Sequence, residues 1–294
     1  MSMPDISSIL DGKRSELCRN VDWDTYRAIP AMNPSTVVYG LKSMLALRWA
    51  WDHPGEPTDA MLWGSAVHCL LFEPNLFDQR YAAWKGRRAG NDYKDFEAEC
   101  WSLGKVVLAE KDWDKALDAA KSFVRKPDVK EIIRAGQAES TVFTVEGRVQ
   151  CRGRLDWISS STHRLVDLKT TNDITADKFS RTFYAFHYDT KMGLYQRWLN
   201  KLTNDRWPVS LIVLESKPPY DIAVMPIDDA VLDRGARRGL EVIRRLPECI
   251  EKDCWPGIDA EGYNLATPTW EMDDEEELEG ATEVNYANNY ANAA

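Results

Sequence analysis

The stretch GRLDWISSSTHRLVDLKTT, residues 153–171, places Asp156 and Asp167 eleven positions apart, with Lys169 two residues beyond the second. Period-two apolar spacing on either side of a Ser-rich turn predicts two neighbouring strands. Side chains alternate along a strand, so Asp167 and Lys169 share a face, and Asp156 can meet them across the ladder. Carboxylates facing one locus repel each other and resist burial unless a cation stands between them. Hard oxygen ligands suit Mg2+, with Mn2+ as a substitute, and Mg2+ held by one or two carboxylates keeps room for phosphate oxygens. A lysine beside it can hold or help deprotonate an attacking water and neutralise charge on a phosphodiester. The chemistry implied is metal-assisted phosphodiester hydrolysis. The plain alternative is an exposed hairpin ion pair, contributing about 0 to 1 kcal/mol. The flanks weigh against it: Leu165 shares the face of Asp167 while Val166 and Leu168 take the other, so this strand reads as buried on both sides.

Other elements must hold that hairpin in place. NPSTVVYGLKSMLALRWAWDHP, residues 33–54, has Asn33 and Ser35 as candidate caps and Pro54 as a stop, and predicts one helix. A second helix is predicted over TDAMLWGSAVHCLLFEP, residues 58–74, carrying His68. KGRRAG, with Arg87 and Arg88, reads as a basic loop before helices at about 92–102 and 105–125, the latter ended by RKPD. STVFTVEG, RVQCRGRLDWIS and HRLVDLKTT then read as a three-stranded meander. Tyr188, Met192, Tyr195, Leu199 and Leu202 follow at helical spacing. Strands VSLIVLES and DIAVMPI and a helix starting near Asp228 complete the order. It predicts a mixed central sheet flanked by helices, an α/β (α+β) fold in one domain over residues 25–258. Residues 1–24 form an N-terminal segment, and the acidic stretch 259–294 reads as disordered.

With 44% apolar residues and 12 Trp among 294, the chain can bury a sizeable core. The six cysteines lie far apart without a CxxC and read as reduced; an iron-sulfur cluster would need four thiolates. The net charge of -10 argues at first against a nucleic-acid partner. Its distribution changes that reading. From Asp253 onward there are eleven acidic residues and no Lys or Arg, so residues 1–252 carry 37 basic and 36 acidic side chains, a balance of +1. The body can still host a local basic groove, and the acidity is largely a property of the tail. No signal-like run occupies the first 30 residues, and nothing approaches the about 18 apolar residues of a membrane span, so a soluble, cytoplasmic protein is expected.

GRLDWI followed by LVDLKTT resembles the core signature of the PD-(D/E)xK nuclease superfamily. In the same order, GSAVHCLLFEP, the GRRAG loop, AES, the helix ending at Tyr195, ESKPPYDIAV and WPG resemble the phage and prophage exonuclease VIII (RecE-like) group over roughly residues 25–258. The resemblance implies a restriction-endonuclease-like fold, with Asp156, Asp167 and the Leu168 carbonyl as metal ligands and Lys169 as the catalytic lysine. His68 matches the group's motif-one histidine and Glu139 the glutamate ahead of the meander, which the resemblance adds to the metal site; otherwise these are a core histidine and a boundary acid. The family helix carries Gln-x-x-x-Tyr: Tyr195 fits, Lys191 stands where Gln is usual, and Gln196 is out of register by one. Core packing is the alternative role of Tyr195. Arg87 and Arg88 match a phosphate-gripping loop or are simply solvated, while Arg148, Arg152 and Arg154 share a strand face that could border DNA. The implied activity is Mg2+-dependent 5′-to-3′ resection of double-stranded DNA ends, leaving a 3′ strand for a single-strand annealing protein. A ring-shaped homo-oligomer in a phage- or prophage-carrying bacterial cell is implied too. Another nuclease of the superfamily, or a degenerate DNA- or partner-binding scaffold, remains the alternative.

Overall fold

The computed structural model describes residues 4–259. The chain runs through β1 (Glu16–Cys18), α1 (Trp23–Ala28), α2 (Pro34–Val37), α3 (Met44–Asp52), α4 (Asp59–Phe72), α5 (Phe77–Arg80), β2 (Tyr81–Trp84) and α6 (Asn91–Ser102). Next come β3 (Val106–Ala109), α7 (Glu110–Ala120) and α8 (Pro127–Ile133), then three long strands, β4 (Gly136–Glu146), β5 (Val149–Ser159) and β6 (Arg164–Thr171). Helices α9 (Ala176–Ala185) and α10 (Tyr188–Thr203) lead to β7 (Val209–Glu215), β8 (Ile222–Ile227) and α11 (Asp229–Glu251).

β4, β5 and β6 form the expected antiparallel meander, its first turn made at Gly147 with φ of 61°. They sit within one sheet of order β1-β4-β5-β6-β7-β8, in which β6 and β7 are the parallel pair. Parallel neighbours need a long crossover, and α9 with α10 supplies it. Both faces of β6 are covered, as its apolar neighbours demand. Leu165, with Leu211 and Val213 of β7, joins a core shared with α3, α10 and α11. Val166 and Leu168, with Ile212 and Leu214, join a second core with α4, α7 and α8. The result is the mixed sheet between helical layers of a restriction-endonuclease-like α/β fold.

Helix α10 is clamped by α11 at unusually close range. A Cβ on Gly193 would lie 2.3 Å from the Leu232 carbonyl oxygen, and one on Gly235 2.2 Å from that of Asp189. Only glycine lets the two backbones touch in this way. Beside the crossing, buried Asp189 pairs with Arg238 at 3.1 Å.

Two expectations change. Residues 33–54 are not one helix but α2, a 3-10 turn at Val38–Leu41 and α3. Ser43 starts afresh by accepting from the Ala46 N–H at 3.0 Å, and Gly40 is pressed against Val242, 2.3 Å from where its Cβ would be. The segment 105–125 opens as β3, paired in parallel with β2 in a separate two-stranded sheet, because a short β-branched run reads equally as strand or buried helix. α7 then stops at Ala120, and Pro127 starts α8 instead of closing a helix. The helix expected from Tyr188 to Leu202 is α10, and α9, which the sequence reading did not include, precedes it across a break at His187 with φ of 53°.

Met1–Gly257 forms one compact unit; residues 1–24 contribute β1, paired with β4. A second unit spans Ile258–Ala294, and the expectation for residues 259–294 lies, apart from Asp259, outside the described residues. All six cysteines are free, and no helix among the described residues is long and apolar enough to cross a membrane.

Candidate active site

Ladder pairing fails at one level of the sheet. Between the pairs Ala138↔Trp157 and Ser140↔Leu155, Glu139 falls opposite Asp156 without pairing, its backbone at φ of 50°. A non-glycine residue held there costs on the order of 1 to 3 kcal/mol. On the other side of β5 the ladder with β6 ends at Trp157↔Val166, and one further step sets Asp156 opposite Asp167. Glu139, Asp156 and Asp167 thus form a row across adjacent strands β4, β5 and β6. The opened backbone is served by a side chain instead: the Leu168 N–H donates to Asp156 Oδ2 at 3.0 Å.

Cationic side chains face this row. Lys169 Nζ pairs with Asp167 Oδ2, and Arg154 Nε donates to Glu139 Oε2. His68, projecting from α4, sits between acids, with Nδ1 3.3 Å from Glu139 Oε1 and Nε2 3.4 Å from Asp156 Oδ2. Its ring is braced edge-on by Phe72, which in turn stacks on Trp157. Burial opposes the His68 charge, but the carboxylates of Asp156, Glu139 and Asp167 win and raise its pKa to about 9. Burial likewise works against ionised Asp156, yet His68, Lys169 and the Leu168 N–H hold that carboxyl below the usual range. Asp167 goes the other way, pushed up by burial and then by the charge of Asp156. Glu139 is also raised, chiefly by burial. Lys169 is held protonated by Asp167 and Asp156 despite its own burial.

Helix α10 presents Tyr188, Lys191 and Tyr195 at helical spacing. Lys169 Nζ lies 5.0 Å and Lys191 Nζ 5.4 Å from the Tyr188 ring centroid, a cation–π arrangement. Burial, followed by the charge of Lys169, lowers the Lys191 pKa to about 8. Tyr195 packs on Gly153, whose added Cβ would lie 2.7 Å from its ring. A cavity of about 1170 Å3 opens over the row, with His68, Glu139, Arg154, Asp156, Lys169 and Tyr188 among its lining.

The sequence-predicted residues divide accordingly. His68, Glu139, Arg154, Asp156, Asp167, Leu168, Lys169 and Lys191 come together, with Tyr195 behind Gly153. Arg87 and Arg88 do not line the cavity, and Arg88 is paired with Asp59 at 2.7 Å. Arg152 is buried, donating to the carbonyls of Tyr26 and Ile29, and Arg148 is tied to Asp11 and Glu251. Gln196 donates to the Trp207 carbonyl at 2.9 Å, off in the core. The sequence reading left out Tyr188 as a site residue, although its place one turn before Lys191 signals it. It also passed over Gly153 of β5, against which Tyr195 packs, and Trp23 and Tyr26, which reach the site only through the folding of a distant segment.

Among the described residues no three His, Cys, Asp or Glu side chains converge as a ready-made cation cage. The donor set nevertheless fits a hard divalent ion: two carboxylates on adjacent strands and the Leu168 carbonyl. Asp167 faces Asp156 with its Oδ2 already against Lys169, and the repulsion between the two buried carboxylates is what a cation between them would relieve.

A model of the PDDEXK-like domain of unknown function (DUF3799) matches residues 42–265. Among solved structures, the chain is similar to one named "Putative exonuclease" from Eubacterium rectale, with a TM-score of 0.58 and 16% identity over 87% of this chain and 98% of that one. It is also similar to a phage related exonuclease from Haemophilus somnus 129PT, with a TM-score of 0.31 and 12% identity over 76% of this chain and 96% of that one. At these identities the first likeness speaks to the fold alone, and the second is too loose to carry argument. No curated protein matches the chain.

Proposed function

The chain belongs to the PDDEXK-like family DUF3799, and from that premise we propose that it is a divalent-metal-dependent deoxyribonuclease, working as a 5′-to-3′ exonuclease on double-stranded DNA ends. The observation that carries the reading is the row of Glu139, Asp156 and Asp167 across three strands with Lys169 against it. Asp156, Asp167 and the Leu168 carbonyl would hold the cation, Mg2+ or in its place Mn2+. When bound, it supplies charge neutralisation at the phosphodiester and acidifies a water.

The protein's own groups do the positioning. Lys169, kept protonated by the neighbouring carboxylates, acts as a donor: it can hold a water by N–H donation and stabilise charge building on phosphate. Arg154 and His68 restrain Glu139, and His68 together with the Leu168 N–H fixes the rotamer of Asp156. Arg154 also lines the cavity and offers a guanidinium to DNA phosphate. The wider sequence resemblance to the RecE-like group supports the polarity, the 3′ single-stranded product, handover to an annealing protein and a ring around DNA.

The deciding assay is digestion of end-labelled linear duplex with Mg2+, beside a covalently closed circle and an EDTA control. Wild type is expected to degrade the linear DNA from its 5′ ends and spare the circle. Lys169→Ala is expected to lower cleavage at least about 10^2-fold while retaining most DNA affinity, since binding is spread over many phosphates. Cleavage undiminished by EDTA or by the substitution would overturn the reading; cutting of the circle would replace the exonuclease by an endonuclease.

A further inference from the structure

We infer that Trp23 is a nucleobase platform: one base of the bound strand leaves its helical stack and lies on this indole beside the acidic row. The inference rests on the nucleic-acid reading above and adds to it the residue that grips the strand. Trp23 lines the same cavity as Asp156 and Lys169, yet it is 55% exposed, whereas Trp51 and Trp157 in the cores are 1% and 8%. Its exposure is not looseness. Tyr26 backs the ring in a stack, with centroids 5.5 Å apart and planes 17° from parallel. Tyr26 is itself buried, with the Arg152 guanidinium 4.6 Å above it and its carbonyl accepting from that arginine. The turn into α1 is pinned by Asp22, which accepts from the Thr25 N–H at 2.8 Å.

Arg154 links the ring to the acids. Its guanidinium lies 5.5 Å from the Trp23 centroid and pairs with Glu139 at the end of the row. A backed aromatic face, open on the other side and one arginine away from the phosphodiester-cutting groups, fits a planar heterocycle whose phosphate lies at the row. Every base has such a face, so the contact is tolerant of sequence. A base inside a duplex is already stacked on its neighbours. The ligand is therefore an unpaired nucleotide, such as the frayed residue at a duplex end.

The test uses the full-length chain in EDTA, so that binding is read without cleavage. A fluorescent linear duplex with a short single-stranded end carries one abasic site, moved a nucleotide at a time. Wild type is expected to lose roughly 5- to 150-fold in affinity at one position of the walk, the range for removing one stacked base. Trp23→Ala is expected to lose about as much on intact DNA and to be indifferent to the abasic site, with an unchanged melting temperature; Trp23→Phe keeps most of the affinity. The inference falls if no position is sensitive, or if Trp23→Ala loses further affinity at the sensitive position. Wild type that binds and shows the full pattern but does not cleave with Mg2+ would sink the nuclease reading and leave the platform standing. Wild type that cleaves with no Trp23 effect would do the reverse.

Discussion

Asp167 and Lys191 carry charge where burial penalises it, and each gives a measurable consequence. Asp167 is pushed above the carboxylate range by burial and by Asp156, a repulsion that a divalent cation would relieve. A ligand present at about 100 times its Kd stabilises by about 2.7 kcal/mol, which for a chain of this size is roughly 5 to 10 °C. Added Mg2+ or Mn2+ is expected to raise the wild-type melting temperature on that scale, and not that of Asp167→Asn; equal rises in both would place the cation elsewhere. Lys191 has its folded pKa lowered to about 8, so the unfolded chain binds its proton more tightly. The cost to folding is complete below pH 8 and fades as pH rises toward the ordinary lysine value. Metal-free Lys191→Gln is expected to be more stable than wild type at pH 7 by about 1 to 3 kcal/mol, with the gain shrinking by pH 10 in denaturant titrations. The acids and Lys169 were legible because strand alternation ties their spacing to one face. Tyr26 and Trp23 were not, since nothing local says that residues near the start of the chain fold against β5.

Among the elements, α10 owes its position to α11. The bare backbones at Gly193 and Gly235 set the depth at which α10 lies, and with it the reach of Tyr188 and Lys191. Gly235→Ala would force the helices apart by meeting the Asp189 carbonyl, a clash that typically costs about 1 to 3 kcal/mol. A melting temperature lowered accordingly, together with a nuclease rate reduced about tenfold or more at temperatures where the variant is folded, is expected from a shift of about 1 Å at the site. An unaltered rate would show that α10 does not position the groups. The meander, β7, β8 and α11 could be read from periodicity because they are long and regular. Residues 33–54 could not, since the break at Ser43 depends on Val242 pressing on Gly40 from far along the chain. β3 was hidden for another reason: four residues, VVLA, carry no period.

At the scale of the whole molecule, residues 1–252 are nearly neutral, so on the proposed function the attraction for DNA would have to come from where charges gather and not from their sum. The sheet has a further consequence through its one parallel pair. β6, bearing Asp167 and Lys169, is flanked on one side by β5, already made, and on the other by β7, which lies beyond the whole α9 and α10 crossover. On the ribosome, every acid of the row emerges well before the strand that walls it in, and non-local pairing of this kind forms late. The proposed active site is therefore completed only once β7 has been made, and a chain broken off before that strand is expected to lack activity. A chain released at residue 205 is expected to leave linear duplex intact in the same digestion assay, and cutting by that fragment would show that β7 is dispensable.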